Sequence, residues 1–192
     1  MGFSRLELES FRGQEVDDLL GPTLKLLFVG INPGLWTVAV QTHFAHPANR
    51  FYPALTRAGI IERVISPAQG MTDEDRAHLK ERGIGITNLV PRATVRASEL
   101  SAAELREGGE RLHDLVAQHR PAVVAIAGVT AYRQAFGERR ATLGRQSPPD
   151  DAWSGAALWV VPNPSGLNAH ETIATLATAY AAPAVEAGVI DG

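Results

Sequence analysis

Four short apolar runs, each bounded by glycine or proline, constrain this chain more than any other feature. They are "LKLLFVGI" (24–31), "GIGITNLV" (83–90), "AVVAIAG" (122–128) and "ALWVVP" (157–162). Runs that are apolar without alternation suit strands covered on both faces. The stretches between them carry helical signals. "NRFYPALTRAGII" sets Phe51, Leu55 and Ala58 at helical spacing, and "MTDEDRAHLKERG" opens on a Thr72–Asp75 cap and closes at Gly83. "SAAELREGGERLHDLVAQHR" puts Leu105, Leu112, Leu115 and Val116 on one side behind the cap candidate Ser101. Its paired Gly108 and Gly109 weaken the middle of that helix. A last helix, "HETIATLATAYAAPAV", is expected from near Asn168, with its regularity lost at Pro183.

Strands that alternate with helices predict an α/β fold, with a mainly parallel four-stranded sheet between helices. A chain of 192 residues suits one domain over 1–192. Residues 1–22, charged and punctuated by Gly21 and Pro22, read as an N-terminal extension outside the sheet. The Ala/Gly-rich residues 181–192 are expected to fray, and "GRQSPPDDAWSG" (144–155) reads as a surface loop.

The absence of cysteine excludes disulfides, iron–sulfur clusters and thiolate metal sites. No apolar run is long enough to span a bilayer, and the N-terminus lacks a signal pattern, so a cytoplasmic location is expected, nucleoid-associated in a bacterium. A net charge of −3 argues against a non-specific nucleic-acid binder but allows a local basic face. Arg133, Arg139, Arg140 and Arg145, with only Glu138 nearby, are candidates, and Arg92 and Arg96 form a smaller group. Taken alone, such runs are better read as solvated surface.

Ligands of parallel sheets bind at the carboxyl ends of strands, and three unusual loops follow strands here. The first is "GINPG", in which Gly30 admits close backbone approach and Pro33 stiffens the turn, with Asn32 between them. Asn32 is either a functional amide or a turn residue bonded to its own backbone. The loop runs on into "THFAHPANRF", where Phe44 is a satellite core contact or a stacking platform. His43 and His46 have a spacing that could suit a metal, but without further ligands a turn or phosphate-contact role is favoured. The second loop closes "TNLVPRAT". Asn88 there offers a donor and an acceptor to a ligand edge, or is an ordinary buried amide. The third is "NPSGLN" (163–168), where Asn163 and Ser165 suit a helix cap and Leu167 is an apolar side chain in an exposed loop. Leu167 either tucks into the core or wedges between bases.

Taken together and in order, "GINPG", "FAHPANRF", "GITNLV-R-T" and "NPSGL" resemble the mismatch-specific uracil-DNA glycosylase and thymine-DNA glycosylase family, family 2 of the uracil-DNA glycosylase superfamily. The resemblance covers residues 24–180. It implies a three-layer α/β/α sandwich and a monofunctional enzyme that excises uracil, and thymine or damaged pyrimidines in mismatches, from double-stranded DNA. Asn32 matches the catalytic residue that positions water for attack on C1′ of the sugar. Phe44 matches the aromatic under the flipped base, and Asn88 a pocket position that varies among relatives. The base pocket is expected from Gly30, Ile31, Phe44, Asn88 and Asn163. Gly166 and Leu167 match the wedge that fills the gap in the duplex, with Ser165 and Asn168 beside it. Trp36 and Thr37 replace smaller residues usual after the first motif, and Asn168 and Ala169 stand where Ser and Arg occur in one relative.

The chemistry agrees with these residue types. An amide orients water but is a poor base, so the glycosidic bond must break largely before attack. Backbone N–H groups near the first loop would then stabilise the departing base anion, and DNA phosphates the sugar cation. No lysine is placed for a Schiff base, and no metal or cofactor is called for. A monomer with no obligatory protein partner is expected. Two rivals stand beside this reading: a glycosylase of the same fold with a shifted target, such as a deaminated purine or an etheno adduct, and a catalytically weak DNA-lesion binder. A nucleotide-binding protein is disfavoured, because neither G-x-G-x-x-G nor G-x-x-x-x-G-K-[ST] occurs.

Overall fold

The four apolar runs form parallel strands in the computed structural model, which describes residues 2–148 and 151–192. These are β1 (Leu26–Gly30), β2 (Ile84–Asn88), β3 (Val123–Ala127) and β5 (Ala157–Val161). A two-residue strand, β4 (Gly144–Arg145), pairs antiparallel with β5, giving the order β2-β1-β3-β5-β4. The described helices are α1 (Arg5–Glu9), α2 (Leu35–Ala39), α3 (Phe51–Arg57), α4 (Asp73–Glu81), α5 (Ala102–His119), α6 (Val129–Phe136) and α7 (Ile173–Glu186).

Residue alternation along the strands splits the apolar side chains between two cores. Leu26 and Phe28 face α3, α4 and α7, whereas Leu27 and Val29 face α5 and α6. The result is a central mixed sheet between two helix layers. Each large side chain fully buried there, such as Phe28 or Ile86, contributes about 1.5–3 kcal/mol. The register sets Gly30 opposite Asn88, so two candidate site residues finish adjacent strands at the same rim. The chain leaves β1 for β2 on one side and then crosses to β3 on the other, which opens a crevice at that rim.

Several expectations are corrected. The sheet has five strands rather than four, because Gly144 and Arg145 pair with Val160 and Trp159 inside the stretch read as a loop. Trp153 of that stretch is buried in the core under α5 and α6. A two-residue strand is too short to show periodicity in a sequence. The N-terminal stretch is not wholly outside the sheet: Leu19 bridges Ile86 antiparallel and is buried, so its end touches the free edge of β2. The C-terminal stretch is regular and packed as far as Val189. Helix α7 runs through Pro183 to Glu186, and Ala184, Ala187 and Val189 are buried. Burial of Tyr180 and Ala184 outweighs the hydrogen bond that Pro183 forfeits. This helix starts at Ile173 behind a Thr172 cap rather than near Asn168.

Helices α2 and α6 were absent from the sequence expectation, each being short and joined to a strand by a glycine-containing turn. The glycines of α5 have a packing reason. A Cβ on Gly108 would lie 2.3 Å from the Leu89 carbonyl oxygen, so α5 rests directly on the backbone that follows Asn88. Arg111 of the same helix caps the carbonyls of Asn88 and Leu89 at 2.5 and 2.9 Å.

Candidate active site

A cleft of about 800 Å³ opens at the carboxyl rim and is lined from the loops after β1, β2 and β5. All ten candidate residues line it: Gly30, Ile31 and Asn32, then Phe44 and Asn88, then Asn163 and Ser165 through Asn168. No lysine lines it among the described residues.

Asn32 is half-buried, and its amide nitrogen is fully engaged. Nδ2 donates to Arg92 O at 3.0 Å and to Thr94 Oγ1 at 2.8 Å, with Pro33 O at 3.2 Å. Carbonyl oxygens only accept, so nitrogen and not oxygen must face them. Thr94 donates its own proton to Arg96 O at 2.9 Å and therefore also accepts from Asn32. That leaves Asn32 Oδ1 as the acceptor offered to a molecule in the cleft. The turn reading of Asn32 holds only in part, since two of its three partners lie on the distant 92–94 loop.

The 92–94 loop is itself braced. Thr94 N donates to Pro33 O at 3.2 Å, Ala93 N to Gln14 O at 2.8 Å, and Gly13 N to Ala93 O at 2.9 Å. Arg92 forms an ion pair with Glu104 at the start of α5. That hydrogen bond, with the Ser101 cap, draws the Glu104 carboxyl down to about 2. The N-terminal segment is thus a structural support of the loop that holds Asn32.

Phe44 adopts φ +55°, a conformation rare for an aromatic residue. Its ring stacks on Phe51, with centroids 4.2 Å apart and planes at 29°, and one face belongs to the core while the ring also borders the cleft. The core-contact reading of Phe44 therefore holds, and its place at the cleft leaves the platform reading open to a ligand. Tyr52 helps hold Phe44 by donating to His43 O at 2.9 Å; burial pushes the phenol upward, so it stays a neutral donor.

Asn88 is buried and tied to His43. His43 Nε2 lies 3.0 Å from Asp17 O, an acceptor, so Nε2 carries the proton. Nδ1 is then free to accept from Asn88 Nδ2 at 3.2 Å. Burial holds the imidazole below its ordinary pKa and keeps it neutral. This tether fixes which end of the Asn88 carboxamide is nitrogen. Its oxygen points at Gly30, where a Cβ would lie 2.5 Å from Oδ1 and 3.2 Å from the Phe44 ring. Glycine is required at position 30 by this close approach.

The loop after β5 carries Leu167 at its tip, 83% exposed. Asn163 and Ser165 do not cap α7. Asn163 Oδ1 accepts from Ser165 N at 3.0 Å, Ser165 Oγ from Leu167 N at 3.3 Å, and Asn168 Nδ2 reaches back to Asn163 O at 3.1 Å. These turns hold the loop in shape and leave Leu167 with no place in the core.

Several residues with a part in this site were not foreseen. Thr94 and Arg50 stood inside the quoted motifs, but their partners lie far along the chain. His43 has a tether to Asn88 rather than a ligand set, and no group of three or more potential metal ligands occurs among the described residues. His46 Nδ1 accepts from Ala48 N, and its ring meets Trp36 edge-on. Of the arginine candidates, Arg145 pairs with Glu186 and Arg133 folds onto Ala141 O, while Arg92 of the smaller group pairs with Glu104. No described helix is long and apolar enough to cross a membrane.

Comparison with known proteins agrees with this geometry. The solution structure of a candidate uracil DNA glycosylase from Methanosarcina acetivorans superposes with a TM-score of 0.60 at 18% identity, over 93% of this chain and 98% of that one. At that identity the likeness speaks for the fold. A model of the uracil DNA glycosylase superfamily matches residues 18–182, which spans all three site loops. The chain therefore belongs to the uracil DNA glycosylase superfamily, a class of hydrolytic enzymes acting on DNA.

Proposed function

We propose that the protein is a monofunctional DNA glycosylase that flips uracil out of double-stranded DNA and hydrolyses its N-glycosidic bond, with thymine or damaged pyrimidines in mismatches as further targets. Phe44 stacks on the extruded base. Asn88, with Nδ2 held by His43, offers its oxygen and second N–H to the base edge; this pattern complements N3–H and O4 of uracil or thymine. Cytosine presents the reverse pattern and would need the amide turned against its tether. The C1′–N1 bond breaks first, the base takes the bonding electrons, and the water held by Asn32 Oδ1 attacks the sugar cation. The water's proton leaves to solvent or to the departing base, because Asn32 cannot accept it. Leu167 fills the vacated stack.

The observation that carries this reading is the engaged nitrogen of Asn32, which presents one oxygen to the cleft in fixed orientation. Single-turnover excision on duplexes bearing uracil, thymine and other lesions opposite each base tests it. Release of uracil is expected, with Asn32→Ala severely slowed but still able to bind duplex. A variant as active as the parent refutes the mechanism. Trp36 and Thr37 also line the cleft, which favours as second reading a shifted target such as an etheno adduct or a deaminated purine. The same panel decides that by rank.

A further inference from the structure

The loop that bears Leu167 is gripped by a residue outside it. The Arg50 guanidinium donates through one terminal nitrogen to Ser165 O and Asn168 O, both at 2.7 Å, and through the other to Glu171 O. Its backbone N donates to Pro164 O at 3.0 Å. The grip brackets the tip, with acceptors both before and after Leu167. The neighbouring surfaces also meet closely, since a Cβ on Gly166 would lie 2.7 Å from both Ala48 Cβ and Ala48 O. Arg50 forms no ion pair among the described residues; both terminal nitrogens donate to carbonyls, while its buried Nε has no partner.

The next residue, Phe51, is the ring on which Phe44 stacks. Adjacent residues at the start of α3 thus hold the exposed apolar tip and the aromatic platform. We propose that Arg50 is a positioning residue that couples the Leu167 tip to the Phe44 platform, so that opening the duplex and seating the base occur as one rigid event. This rests on the glycosylase reading. A side chain driven between bases meets resistance, and a loop clamped on both sides of it yields less than a free one. Lysine keeps the charge but cannot present the planar set of donors that spans three carbonyls.

The test uses Arg50→Lys and Arg50→Met in the full chain, with hydrogen exchange over residues 163–171 and single-turnover excision of uracil from duplex and from single strand. Both variants are expected to lose about tenfold or more on duplex and little on single strand. Exchange should quicken in the 163–171 loop while amides of the sheet stay protected. Leu167→Ala added to Arg50→Met should cost less than Leu167→Ala alone. Three results overturn the proposal: equal losses on both substrates, unchanged loop exchange in both variants, or full duplex activity in Arg50→Lys with a shallower salt dependence in Arg50→Met, which marks a phosphate contact instead. If the parent protein releases no base from either strand form, the glycosylase reading fails, and the exchange result still decides whether Arg50 is the clamp.

Discussion

The loops after β1 and β5 stand at one rim of one sheet, yet they are fastened by opposite means. In the first, the side chain is pinned: Asn32 Nδ2 has three acceptors, and its oxygen has one direction left. In the second, the backbone is pinned by Arg50 and by the Asn163 and Ser165 turns, while the Leu167 side chain stands 83% exposed. The difference fits the two roles proposed for these loops. A group that orients a water must not move relative to the bond that breaks. A group that enters a base stack must be free to find its contacts, provided that its base is firm.

The contrast can be broken most severely at Asn32. Removal of its oxygen in Asn32→Ala should slow single-turnover excision by about 10²–10⁴-fold with duplex affinity little changed. A rate within twofold of the parent, as an order-of-magnitude bound, would mean that the pinned amide is not the water-holding group. Thr94→Val sharpens the claim, because it removes an acceptor of Asn32 without touching the cleft oxygen. A loss of about 10–100-fold in rate is expected, with Kd for abasic duplex unaltered. Should Kd rise and the rate stay fixed, the brace serves binding rather than chemistry. Leu167→Ala probes the other side of the comparison. It should cost about tenfold on paired uracil and little on unpaired uracil, measured as the ratio of the two rates. Equal ratios in parent and variant would remove the wedge.

The smallest expected effect is on stability. Burial depresses the His43 pKa in the folded protein from an ordinary 6.5. The unfolded chain then binds a proton more readily, so stability is complete above pH 6.5 and declines as pH falls below it. Urea unfolding should show this slope, and His43→Gln should reduce it without abolishing it, because His113 is depressed by burial as well. A slope unchanged by His43→Gln would show that this imidazole is not the titrating group. In excision assays the same variant should weaken discrimination against cytosine.

The sheet was legible because β1, β3 and β5 are apolar throughout, β2 is apolar up to Thr87 and Asn88, and all four lie in runs bounded by glycine or proline. Asn32, Phe44 and Leu167 were legible as residues of the wrong kind for their place: an amide after a buried strand, an aromatic in a polar loop, an apolar tip. What remained hidden shares a physical character. Asp17 O, Arg92 O and Ser165 O are backbone acceptors, and any residue type supplies one, so no side-chain pattern announces the partner of His43, Asn32 or Arg50. The Gly108 contact with Leu89 is hidden in the same way, since a missing side chain reads as helix weakness until the surface against it is known. The two-residue β4 shows no period at all.

The span of the contacts around Asn32 has a consequence for how the protein comes into being. Two of the three acceptors of its amide lie 60 and 62 residues downstream, and the loop that offers them leans on Gly13 and Gln14 far upstream. Contacts so distant along the chain form only when the whole topology closes. A nascent or half-unfolded molecule thus has the motif but not the oriented oxygen. Under the mechanism proposed above, such a copy would excise no base until folding closes the loop.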